Sequence, residues 1–262
     1  MTAQQPHAAR VRHAEPVMGT VVSFDVPAAA RRDGSLEAAV GWLHWVDRVF
    51  SPYRPDSDVS RLAAGEVSVD GCARELAEVI DGCAFIAELS GGYFTDHPAG
   101  RFDPTGYVKG WAVERAAGLL AAAGSASHLV NGGGDVQCAG RRADEESDDG
   151  LWRVGIADPF HPGRLALVLA AADCGIATSG TAERGDHIVN PLAGRPAQGL
   201  ASLTVAGPSL TLADAFATAA FAMGPDLARA WTESLDGYEA FAITSGGQTW
   251  HTSGFPALVA PG

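Results

Sequence analysis

The chain has 262 residues, 47% of them hydrophobic and 19% charged, the balance of an ordinary globular protein long enough to bury a substantial core. A formal net charge of −13 excludes the broad basic surface that nucleic acid demands. No apolar run reaches membrane-spanning length, so no membrane insertion is expected, and Met1 to Pro16 holds Gln, His and Arg where a signal peptide would have an apolar core.

Residues 1–16 are therefore expected to be a flexible N-terminus, 17–262 a single domain, and the cytoplasm the location. Val17 to Val26 is β-rich and partly alternating and predicts a strand. Ser35 to Phe50 places Leu36, Ala39, Val40, Leu43 and Val46 on one side of an amphipathic helix. The prolines of Phe50 to Ser57 mark a loop, and Asp58 to Leu62 reads as one helical turn. A second helix runs from Arg74 to Ser90 and stops at Gly91-Gly92; a third runs from Val108 to Ala123 and closes at Gly124. Leu129-Val130 makes a short strand entering a glycine cluster, and Arg141 to Gly150 is a charged solvent loop. Strands are expected at Trp152 to Ala157, Leu165 to Ala170, Gly175 to Ser179 and Ser202 to Val205. An apolar helix then covers Leu212 to Gly224, a weaker one Asp226 to Leu235, and Glu239 to Thr244 with Gln248 to Thr252 forms a terminal hairpin. The sum is α+β, with packed helices over mixed or antiparallel sheet. The four cysteines (Cys72, Cys83, Cys138 and Cys174) are scattered without zinc-site spacing and read as reduced, mostly buried thiols.

The chemistry concentrates in a few segments. Asp214 and Thr218 sit four residues apart on the apolar helix, hence on one face, and two hard oxygen ligands suit Mg²⁺ with places left for phosphate oxygens. Thr211 and Asp214 also fit a capping box, and spacing alone does not separate the two readings. Asp103-Pro-Thr-Gly-Tyr-Val-Lys-Gly110 leads into a helix whose N-terminus and lysine can hold phosphate; the plain alternative is a capping Asp103 and a solvated Lys109. Asn131-Gly-Gly-Gly-Asp135 permits close backbone approach to a ligand or is simply a strand-to-strand turn. His187, in Asp186-His-Ile-Val-Asn-Pro191, is either an acid–base group near neutral pH or a structural histidine at a strand edge.

In their order these segments resemble the FAD:protein FMN transferase (ApbE-like) family. The match is carried by Met18-Gly-Thr20, Phe50-Ser-Pro-Tyr53, Asp56-Ser-Asp-Val-Ser-Arg-Leu62, Gly92-Tyr-Phe94, Asp103 to Gly110 and Asn131 to Asp135. Trp152 to Pro159, Ala177 to Gly180, His187 to Pro191 and Ala213 to Ala219 complete it. The resemblance implies Mg²⁺ held by Asp214, Thr218 and the Gly106 backbone, and FAD contacted by Met18, Tyr53, Gly92, Tyr93, Phe94, Asp103, Lys109 and Ile188. It places His187 at the reacting phosphate, and it implies transfer of the FMN moiety of FAD to a Ser/Thr hydroxyl of an acceptor protein with release of AMP. Hydrolysis of FAD to FMN and AMP, and non-catalytic FAD binding, are the competing readings. Three features depart from the family pattern: only Thr95 to Arg101 separate two motifs where relatives carry a long insertion, Asn190 stands where Asp is common, and the exported leader is absent.

Overall fold

The computed structural model describes residues 9–142, 149–181 and 188–261. Its strands are β1 (Arg10–Val17), β2 (Thr20–Pro27), β3 (His128–Gly132), β4 (Asp135–Ala139), β5 (Trp152–Ala157), β6 (Leu165–Ala171), β7 (Cys174–Gly180), β8 (Val189–Asn190), β9 (Arg195–Pro196), β10 (Leu200–Gly207), β11 (Glu239–Thr244) and β12 (Thr249–His251). Its α-helices are α1 (Ala29–Arg32), α2 (Ser35–Phe50), α3 (Asp58–Ala63), α4 (Arg74–Leu89), α5 (Thr105–Ala122), α6 (Leu210–Met223) and α7 (Pro225–Glu233). Eight strands form one sheet in the order β1-β2-β3-β4-β7-β10-β11-β12. Every neighbouring pair in it is antiparallel, which narrows the expected mixed or antiparallel sheet to the second kind.

The period of two along the strands divides the core between the faces of this sheet. Phe24, Val130, Ala177, Leu203, Val205, Ala240 and Ala242 join the core shared with the helices. Their neighbours Val136, Ile176, Ala206, Phe241 and Ile243 point the other way, onto the β5–β6 hairpin and Phe255. α6 is apolar nearly all round, and eleven of its residues are buried because it lies between the sheet and α5. α5 is fixed from its other side by an aromatic cluster: Trp42 stacks on Trp45, meets Trp111 edge-on, and donates its indole N–H to the Ala112 carbonyl at 3.0 Å.

Several expectations need correction. Arg10 to Pro16, within the stretch expected to be a flexible N-terminus, belongs to β1, because it finds an antiparallel partner in β2. The single strand expected from Val17 to Val26 is broken by a hairpin turn at Met18-Gly19, where both residues have positive φ (56° and 69°) and Val17 pairs with Thr20. β4 was hidden by the glycines before it. α5 starts at Thr105, three residues earlier than its apolar pattern indicated, because Asp103 Oδ1 accepts the Thr105 N–H at 3.1 Å and supplies the cap that Pro104 lacks. All four cysteines are unpaired thiols, and three of them are buried. Among the described residues no helix is long and apolar enough to cross a membrane.

Candidate active site

The site forms where α5 and α6 cross beside the end of the sheet. α6 is opened by Ser209, whose side chain accepts the Leu212 N–H, so the expected capping box at Thr211 and Asp214 is not what starts it. The Thr211 N–H and hydroxyl both turn to Glu114 Oε2 on α5, at 2.7 Å and 2.6 Å, and Ser209 Oγ donates to the same oxygen at 2.8 Å. Glu114 thus places a negative charge at the positive end of α6. This reach from one helix to the next left no mark in local sequence spacing.

Relieved of capping, Asp214 is buried at 4% exposure and faces α5. Its Oδ2 accepts the Gly110 N–H at 2.9 Å, and its Oδ1 lies 3.8 Å from Lys109 Nζ. Gly106 itself lies against Thr218: a Cβ there would stand 3.7 Å from Thr218 Cγ2 and 3.4 Å from the Phe94 ring. Thr218 Oγ1 is 3.4 Å from Ser179 Oγ on β7. Asp214, Thr218 and Gly106, the three residues implied as metal ligands, therefore line one contact between the helices.

Lys109 Nζ stands 2.5 Å from Asp135 Oδ2. Asp135 is 1% exposed, and its Oδ1 accepts the Thr178 N–H at 3.1 Å. The glycines before it do structural work as well. Gly133 and Gly134 take positive φ (61° and 97°) to turn β3 into β4, and Asn131 Oδ1 accepts the Gly134 N–H. A Cβ on Gly133 would fall 2.7 Å from Thr20 Oγ1, so this turn rests against the one that holds Met18. The sequence singled out Asn131 to Asp135 as a ligand approach and missed that Asp135 grips Lys109; the signal available was a lone acid closing a glycine run.

The remaining residues surround this cluster at varying distance. Phe94 is buried, Met18 and Ile188 pack partly buried on the helical core, and Gly92 lies against Leu192, whose Cδ2 would be 3.3 Å from a Cβ there. Tyr93 is half-buried. Asp103 is taken up with its cap, as the plain alternative held, whereas Lys109 is not merely solvated. Tyr53 stands apart, 91% exposed in the loop after α2. His187 lies outside the described residues, as do residues 143–148 of the charged loop. Beside the site, burial pushes the Tyr107 hydroxyl up to about 12, so it stays a neutral donor at physiological pH.

The donor set suits a small hard cation: one buried carboxylate, a hydroxyl and a backbone carbonyl are all oxygen ligands, and they leave room for phosphate oxygens. Among the described residues no three His, Cys, Asp or Glu side chains gather closely enough to hold a metal without such help.

Comparison with known proteins bears on the family and the fold. Residues 18–99 and 95–242 match the ApbE family. The FAD:protein FMN transferase of Rhodobacter capsulatus is 30% identical over 211 residues, covering 76% of this chain and 37% of that protein. That of Treponema pallidum is 33% identical over 150 residues, covering 52% and 41%. The chain thus spans about two fifths of the length of these curated relatives. The apo flavinyl transferase ApbE of Pseudomonas stutzeri superposes with a TM-score of 0.79 at 24% identity, covering 98% of this chain and 100% of that one. The ApbE protein of Thermotoga maritima superposes with 0.85 at 21%, covering 97% and 100%. With a match running from Met18 through β11 and the fold shared over nearly the full length, the chain belongs to the ApbE family.

Proposed function

We propose that the protein transfers the FMN moiety of FAD to a Ser or Thr hydroxyl of another protein, releasing AMP. The observation that carries the reading is the convergence of Lys109, Asp214, Thr218 and Gly106 under Phe94, a cation and oxygen donors on one wall of an otherwise acidic chain. A dianionic pyrophosphate needs that local help to approach a protein of net charge −13. In the transfer, the acceptor oxygen bonds to the FMN-side phosphorus, the bridging P–O bond breaks, AMP leaves with its electron pair, and the hydroxyl proton passes to a base.

Each residue then has a task. Lys109 meets a phosphate oxygen with its ammonium, oriented from behind by Asp135. Phe94, beside Gly106, keeps water off that wall. Tyr53, presenting a full ring to solvent, stacks on a flavin or adenine plane. His187 accepts the hydroxyl proton. Asp214, Thr218 and the Gly106 carbonyl would hold Mg²⁺, which when bound supplies neutralisation of charge on phosphate oxygens.

The test is incubation of the purified chain with FAD and Mg²⁺, with and without a peptide bearing a Ser/Thr-Gly-Ala-Thr site, followed by mass spectrometry. A peptide heavier by FMN less water, with AMP released, supports the transferase. Free FMN and AMP with unlabelled peptide point to hydrolysis, and intact FAD in every tube points to a flavin-binding protein. Asp214→Ala should abolish Mg²⁺-dependent turnover; full activity in that variant would remove the metal assignment.

A further inference from the structure

Two buried carboxylates compete for one ammonium in this site. Lys109 Nζ stands 2.5 Å from Asp135 Oδ2 and 3.8 Å from Asp214 Oδ1. We infer that Asp135 is a positioning residue that draws the Lys109 ammonium aside, so that it does not neutralise Asp214 and a divalent cation can bind there. The inference rests on the metal reading proposed above for Asp214, Thr218 and Gly106.

Both carboxylates are fixed and the ammonium is the movable part. Asp135 is buried, follows a glycine turn, and is pinned by the Thr178 N–H at 3.1 Å. Asp214 is buried on α6 and pinned through its other oxygen by the Gly110 N–H at 2.9 Å. Lysine carries its charge on a flexible four-carbon stem, and this one is about a third exposed. The ammonium needs to move only about 1 Å to pair closely with Asp214. Coulomb attraction rises as the distance falls, so the nearer acid decides where the charge rests. With Asp135 present the ammonium lies on the side of the sheet, at the end of β4. Without that charge the balance between the two acids tips toward Asp214. A doubly charged cation would then have to displace a contact ammonium.

The geometry also explains why Lys109 and Gly110 are consecutive. One turn of α5 delivers an ammonium and an N–H to the same carboxylate, the N–H at hydrogen-bond length and the ammonium held short of it. The N–H aims Asp214 without cancelling its charge, and Asp135 ensures that the lysine does not cancel it either. Lys109 remains beside the place where a phosphate would arrive, and two cations can then flank one phosphate group.

The probe is Mn²⁺, titrated by calorimetry into the purified full chain without FAD, with thermal unfolding followed on each variant. Asp135→Asn keeps an oxygen for the Thr178 N–H and removes only the charge. It should bind Mn²⁺ at least about tenfold more weakly than wild type. Lys109→Gln should bind it at least as tightly as wild type. In the Lys109→Gln background, adding Asp135→Asn should change the affinity by less than about threefold, because no ammonium remains to be misplaced. An equal loss in both backgrounds overturns the inference, since Asp135 would then act as a distant charge and not through the lysine. If Asp135→Asn does not fold, Lys109→Gln alone decides: weaker Mn²⁺ binding in that variant overturns the inference. Wild type and Asp214→Asn that both fail to bind Mn²⁺ would instead refute the metal reading beneath it.

Discussion

Gly110→Ala tests whether the helix crossing sets the site. An added Cβ would stand 2.8 Å from Asp214 Cβ and 2.8 Å from the Leu210 carbonyl oxygen. Non-bonded carbon contacts relax at about 3.5–4.0 Å, so α5 and α6 must part by roughly 1 Å. Overpacking of this kind costs about 1–3 kcal/mol, and the better helix propensity of Ala returns at most about 1 kcal/mol. A net loss of about 1–2 kcal/mol lowers the Tm of a chain this size by about 2–8 °C. The separation also lengthens the Gly110 N–H bond to Asp214, now 2.9 Å, and carries the carboxylate away from Lys109, which lies on the same helix as Gly110. Because Mg²⁺ demands near-ideal geometry, metal-dependent turnover should fall by more than the loss of folded protein accounts for. Gly118→Ala is the matched control: it lies on the same helix, and a Cβ there meets nothing within 4 Å. It should raise stability by up to about 1 kcal/mol and leave turnover unchanged. Thermal unfolding by circular dichroism and FAD turnover, measured on both variants, decide the matter. If Gly110→Ala melts with Gly118→Ala and turns over like wild type, close helix contact is not what aims Asp214.

Glu114→Ala should cost about 2–3 kcal/mol, since it strips the negative charge from the start of α6 and orphans three donors, and urea unfolding will read the loss; a change below about 0.5 kcal/mol would refute the capping role. Tyr53→Ala should leave urea unfolding within about 0.5 kcal/mol of wild type, because the ring is exposed, while weakening FAD binding measured by flavin fluorescence; unaltered FAD affinity would take Tyr53 out of the site. Burial pushes the Cys138 thiol up to about 12 and the Cys174 thiol up to about 11, from an ordinary 9.0. A raised folded-state value keeps each thiol's contribution intact below pH 9 and withdraws about 1.4 kcal/mol per pH unit above it, until the folded value is reached. Urea melts from pH 8 to pH 10.5 should show that alkaline slope, and Cys138→Ala should flatten it; an unchanged slope in the variant refutes the assignment. Half-exposed Cys72 should react with iodoacetamide in the folded protein well before Cys83, Cys138 and Cys174 do, as peptide mapping will show.

How much was legible in the sequence depended on whether the information was local. The long helices were readable because their apolar stripes repeat within one element: Ser35 to Phe50 emerged with the bounds expected. The strand from Trp152 to Ala157 was likewise readable within one element, as its buried and exposed residues alternate. β1 was missed because Val11, His13 and Glu15 alternate around a mixed polar set, and only pairing with β2 makes that a strand. The turn at Met18-Gly19 was missed because a methionine at positive φ gives no compositional cue.

The site divides along the same line. Asp214 and Thr218 could be paired from helical spacing, since four residues fix a face. Whether Asp214 caps its own helix or serves a ligand could not be settled that way, because the answer lies on a different helix. Glu114, a hundred residues earlier in the chain, takes over the capping of α6 by binding Ser209 and Thr211. That substitution leaves Asp214 one helical turn further along, buried, with the Gly110 N–H and the Lys109 ammonium as its company. A helix that capped itself with Asp214 would spend the carboxylate on its own backbone. By assigning the cap to α5, the fold makes the crossing of two helices, and not the start of one, the place where this charge is kept. The same crossing needs glycine at 110, so the residue that permits the approach and the residues proposed for the chemistry share the short segment from Asp103 to Gly110.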